Sequence, residues 1–173
     1  MKKFSLFFFI LYFVSVLQAQ HSAYTGEERR AIKSLSEKEI DQYRSGAGMG
    51  LAKAAELNHY PGPKHVLEFV DTLDLSEKQT KELEKIVEEM KSAAVHLGNE
   101  IIEKEKMLND AFADGVITIS QLERLTKEIG DLQAKLRFTH LRAHITTTTL
   151  LTKHQIHTYD ILRGYDSDDM NNH

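Results

Sequence analysis

The chain has 173 residues, with 22 basic and 26 acidic side chains, nine histidines and neither cysteine nor tryptophan. The acidic balance argues against nucleic acid and anionic membrane surfaces as partners, since both call for a basic patch. Without cysteine there is no disulfide, thiolate nucleophile or thiolate metal site, so a metal would have to be held by His, Asp, Glu or Met.

The chain begins with two basic residues, Lys2 and Lys3, followed by an almost unbroken apolar run over 4–17 and a small residue, Ala19. This layout predicts a secretory signal peptide over 1–19, cleaved near Ala19, and export to the periplasm. The run is shorter than the roughly 20 residues of a spanning helix, and no cysteine follows it to carry a lipid. Residues 20–45 are polar and read as a flexible lead-in, with one helix start at Ser36-Glu37-Lys38-Glu39, a capping-box pattern. Gly46, Gly48 and Gly50 interrupt the chain. They are no nucleotide loop, because no apolar strand precedes them; they serve close approach of a short helix to a neighbour.

A short helix is expected over 49–58, then the breaker Pro61-Gly62-Pro63, then a second short helix over 65–73. Two long helices follow, over 76–113 and 120–148. The first carries an apolar stripe that includes Leu83, Val87, Ala94, Ile101 and Phe112; the second carries Leu125, Ile129, Leu132, Leu136 and Ala143. Steps of three and four put each stripe on one face. The short link between them predicts antiparallel neighbours, a helical hairpin. Thr146-Thr147-Thr148-Thr149 reads as the end of the second long helix, because β-branched residues have modest helix propensity. A last helix over 152–163 stops at Gly164, and 164–173 reads as a disordered acidic tail. Three helix starts carry the capping-box pattern, Ser76-x-x-Gln79, Ser120-x-x-Glu123 and Thr152-x-x-Gln155.

Two of these caps lie in the strings Leu75-Ser76-Glu77-Lys78-Gln79 and Leu151-Thr152-Lys153-His154-Gln155. They resemble the paired L-T-x-x-Q motifs of the Spy/CpxP family and its heavy-metal-resistance relatives such as CnrX and ZraP. The first departs by Ser for Thr, which keeps the capping hydroxyl. The resemblance covers about residues 46–163. It implies an all-α fold, a hooked antiparallel helical hairpin of two long helices flanked by short ones, paired as a dimer. It also implies one of two roles: an ATP-independent holdase chaperone for unfolded periplasmic proteins, or a protein that binds or senses heavy metal.

His140 and His144 stand at i and i+4 on one helix face, a spacing at which two imidazoles can reach one ion. The residue after His140 is Leu141, where a zinc protease would carry its glutamate, so no general base is built in. The resemblance places further ligands on the short helices, His65 and Glu68 first, Glu56 and His59 more remotely. Against the metal stand plainer roles: His140 and His144 hydrogen-bonded in a helix seam, His65 helping to cap its helix, His154 and His157 exposed. No Ser-His-Asp order or nucleophile elbow is visible, and the chain reads as no enzyme. Phe138, Leu141 and Ile145 form a second apolar stripe that would suit a client-binding groove. The leading expectation is a periplasmic stress-response protein that binds a divalent transition metal (Zn, Ni, Co or Cu). The alternative is a holdase, and a third role is a helical module docking on a membrane-bound sensor.

Overall fold

The computed structural model describes residues 23–166, all helix, turn and loop. The signal peptide expected over 1–19 and the tail beyond Asp166 lie outside the described residues. The elements are α1 (Glu37–Ser45), α2 (Lys53–Glu56), α3 (Pro63–Val66), α4 (Glu77–Ala113), α5 (Ile119–Leu150) and α6 (Lys153–Arg163). Single 3-10 turns occupy Glu27–Arg29 and Leu67–Phe69. Among the described residues no helix is long and apolar enough to cross a membrane.

Capping chemistry sets the helix ends. Ser36, Ser76 and Thr152 each accept a hydrogen bond from the backbone N–H three residues on, and Glu39, Gln79 and Gln155 reach back to the cap N–H. Such caps are worth about 1 kcal/mol each. The start of α5 differs from expectation. Thr118, not Ser120, is the cap, accepting from Gln121 N–H at 3.2 Å. Both hydroxyls suit the role, and the five-residue link after α4 sets which one is used. The threonine run also stays helical to Leu150. Thr146, Thr148 and Thr149 turn their hydroxyls onto the Arg142, His144 and Thr146 carbonyls, so these side chains bond along the helix instead of ending it.

The two long helices pack along each other, and their pairs run in opposite order. Gln79 bonds the Leu150 carbonyl, Ala94 and Ile101 meet Leu132 and Leu136, and Lys104 pairs with Glu128 at 2.9 Å. The stripes face this seam: Leu83, Ala94, Ile101 and Leu125 have no exposure at all. Phe112, at the link end of the expected stripe, is exposed. A second cluster joins Val66, Leu73, Leu83, Leu151 and Tyr159, tying α3 and α6 to the start of α4.

The expected flexible lead-in carries, in its described part, a third cluster. Ile32, Leu35 and Ile40 are buried against Tyr43 and Ile102. α1 lies on α4 so closely that a Cβ on Gly98 would sit 2.4 Å from the Tyr43 carbonyl oxygen. The short helices are shorter than the sequence spacing predicts. Residues 49–58 form only α2, with Met49 and His59 at positive φ bounding it, and 65–73 divides into α3 and a 3-10 turn.

Candidate functional site

Along α5 the buried face changes character. Leu125, Ile129, Leu132 and Leu136 give way to Thr139, His140, Ala143, His144 and Thr147. Here α2 and α3 cross α5. Polar atoms in such a stretch need partners, and two have none among the described residues, His140 Nε2 and Thr147 Oγ1. His140 is 3% exposed. Burial, and secondarily the neighbouring His144, hold its pKa below the usual histidine value. At neutral pH it is an uncharged imidazole.

His144 is oriented from behind. Its Nδ1 lies 2.8 Å from the Tyr60 carbonyl. A carbonyl only accepts, so Nδ1 carries the proton and Nε2 of the neutral ring holds a lone pair. Glu56 Oε2 stands 3.6 Å from the same Nδ1. Gly62 permits this arrangement. A Cβ there would stand 3.0 Å from His144 Cε1 and 3.2 Å from its Nε2, so the Pro61-Gly62-Pro63 breaker also leaves room for the ring. His65 is held in the same fashion: its Nδ1 faces both Glu68 carboxylate oxygens at 3.3 and 3.4 Å, leaving Nε2 free to accept. Imidazoles fixed through one nitrogen by a carbonyl or carboxylate are the usual form of metal-binding histidine.

His65, His140 and His144 line one cavity of about 560 Å³. Glu68 turns to His65 and does not line it. Among the described residues no group of three or more His, Asp or Glu side chains converges closely enough to hold an ion. The structure therefore brings His65 to the same wall as the α5 pair without drawing the three into one cluster.

The remoter candidates have structural work. Glu56 is the hub between the short helices and α6. Its Oε1 accepts from Tyr159 OH at 2.6 Å and Tyr165 OH at 3.1 Å, with Arg163 Nε at 3.4 Å, and its Oε2 accepts from Gly62 N–H at 3.1 Å. Burial, and then Glu56, raise the Tyr159 pKa strongly, so its hydroxyl remains a donor. His59 Nδ1 is 2.8 Å from Asp160 Oδ2. His154 and His157 are exposed on α6. Tyr159 has no site signature in the sequence; its one signal is a position four residues after Gln155, on the same face of α6.

The two cap motifs meet. Gln79 Nε2 donates to Gln155 Oε1 at 2.9 Å and to the Leu150 carbonyl at 2.8 Å, and Gln155 Nε2 donates to the Leu73 carbonyl at 3.1 Å. Leu75 and Leu151 pack in the cluster beneath. Each glutamine thus closes its own cap and locks the other. Of the second apolar stripe, Phe138 and Ile145 are 61% and 56% exposed and Leu141 is half-buried; the Arg142 guanidinium stands 5.7 Å from the Phe138 ring centre.

Comparison with protein-family models, curated proteins and solved structures finds no match.

Proposed function

We propose that the chain is an exported, non-enzymatic stress-response protein of the Spy/CpxP and metal-resistance type, binding a divalent transition metal on α5. In this reading α4 and α5 form the hooked hairpin, two copies pair as a dimer, and the interlocked Gln79 and Gln155 are the family's paired motifs. His140 Nε2 and His144 Nε2 are the first ligands, and His65, oriented by Glu68, stands on the same cavity wall as the next candidate. The observation that carries the reading is the buried, unpartnered Nε2 of an uncharged His140, one helical turn from a second imidazole whose lone pair is set by the Tyr60 carbonyl. Leaving a buried polar nitrogen unpaired costs about 1–3 kcal/mol. An ion at about 2.0–2.1 Å from both nitrogens would offset that cost.

The test is calorimetric titration of the mature protein with Zn, Ni, Co and Cu. Wild type is expected to bind one of them with micromolar affinity or better, and a His140→Ala/His144→Ala variant to bind none. Equal binding by the two proteins, or none by wild type, overturns the metal reading. The exposed Phe138 and Ile145 favour a second reading, a holdase. ATP-independent suppression of client aggregation that Phe138→Ser/Ile145→Ser abolishes, with no metal bound, would put that reading first.

A further inference from the structure

The turn between α2 and α3 is tied at both ends. At its far end Glu56 Oε2 accepts from Gly62 N–H. At its near end His59 Nδ1–H donates to Asp160 Oδ2 of α6 at 2.8 Å. Asp160 is 4% exposed and its Oδ1 has no partner; among the described residues His59 is the one side chain that pairs with it. A buried carboxylate with a single partner depends on that partner. His59 sits on a backbone that suits it poorly. Its φ is 66°, the left-handed region that glycine or asparagine fills with less strain at a helix end. The backbone alone would favour glycine, so the side chain and its bond to Asp160 account for a histidine here.

The following residue orients His144. The Tyr60 carbonyl accepts from His144 Nδ1–H at 2.8 Å, and Tyr60 N–H donates to the Ala55 carbonyl at 3.2 Å. Pro61, fully buried, comes next; its ring fixes its own φ and narrows the backbone choices of Tyr60. One stiff residue therefore separates the anchor on α6 from the acceptor of the His144 proton. We propose that His59 is a positioning residue for His144: by tying the turn to the buried Asp160, it makes the state of the His144 ring depend on the docking of α6. With the anchor made, the Tyr60 carbonyl keeps the proton on Nδ1 and the lone pair on Nε2. With the anchor cut, the carbonyl shifts away and the proton exchanges between the two ring nitrogens. The consequence for metal rests on the reading above; the state of the ring does not.

The test is long-range proton–nitrogen NMR of the histidine rings in the metal-free mature chain, in mildly alkaline buffer, beside calorimetric titration with each of Zn, Ni, Co and Cu. His59→Gly suits the left-handed backbone and removes only the anchor. His59→Asn suits it too and places its amide nitrogen close to the position of Nδ1, so it should restore the bond to Asp160. Unchanged helical circular dichroism would verify both folds. Wild type and His59→Asn are expected to show His144 protonated on Nδ1 alone. His59→Gly is expected to show a mixture of tautomers and to bind metal roughly tenfold more weakly, the usual effect of losing a group that orients a ligand imidazole. A single Nδ1-protonated His144 in His59→Gly would overturn the positioning role whatever the metal affinity, and so would a mixture already present in wild type. A ring fixed in wild type and released in His59→Gly, with no metal bound by either, would overturn the metal reading and leave the positioning role standing.

Discussion

Glu56 shows how much one side chain can carry. It is 12% exposed and bonds residues of α6, the Pro61-Gly62-Pro63 turn and, through His144, the buried face of α5. A charged acceptor in such a position is worth more than a neutral one, about 1.5–3 kcal/mol per hydrogen bond. Glu56→Gln keeps the shape but sets an amide donor against the Gly62 N–H or the tyrosine hydroxyls, and leaves Arg163 without its counter-charge. The expected outcome is a loss of roughly 2–4 kcal/mol in urea unfolding, with weakened metal binding because Gly62 and Tyr60 no longer hold His144 in place. Wild-type stability in that variant would show that the network is incidental. The same residue-scale logic explains the two fixed imidazoles. Each has one nitrogen committed to an oxygen acceptor, so the free lone pair follows from the partner and not from the histidine alone.

At the scale of elements, the docking of α1 on α4 depends on a missing side chain. Gly98 sits mid-helix, where glycine costs about 1 kcal/mol relative to alanine. A Cβ there would lie 2.4 Å from the Tyr43 carbonyl oxygen and 2.8 Å from its carbon, and backbone cannot rotate away. Gly98→Ala is therefore expected to gain helix propensity and still lose about 1–3 kcal/mol through overpacking. Hydrogen exchange would locate the damage: faster exchange in α1, with α5 and α6 unchanged. Unaltered protection of α1 would refute the close approach. The Gln79–Gln155 lock belongs to this scale as well, since it fastens the start of α6 to the start of α4 by side chains 76 positions apart.

For the whole molecule, a ligand that binds only the folded state stabilises it by mass action, about 2.7 kcal/mol at a hundredfold excess over its dissociation constant. Saturating metal is expected to raise the thermal midpoint of wild type and to be reversed by a chelator that strips the ion. His140→Ala/His144→Ala is expected to show no such shift. A shift of equal size in the variant would move the ion elsewhere, with the exposed carboxylates the first place to look.

Much of the fold was legible in one dimension because its signals are local. The capping boxes at Ser36, Ser76 and Thr152, the αL stop at Gly164 and the stripes of α4 and α5 need only neighbours within one or two turns. The His140/His144 spacing is local too. Where local chemistry is degenerate, the chain alone did not discriminate: Thr118 and Ser120 both make good caps, and a threonine run can end a helix or bond back along it. The burial of Ile32, Leu35 and Ile40 has no periodic signature, since it requires the surface that α4 presents through Gly98 and Ile102. His65, Glu56, His140 and His144 were named as candidates from the sequence, but the Glu56–Tyr159 bond and the cavity the three histidines share were not legible there, for the same cause. Their partners lie about eighty to a hundred positions apart, and only the crossing of α2 and α3 over α5, with α6 bonded to Glu56, brings these separate side chains together.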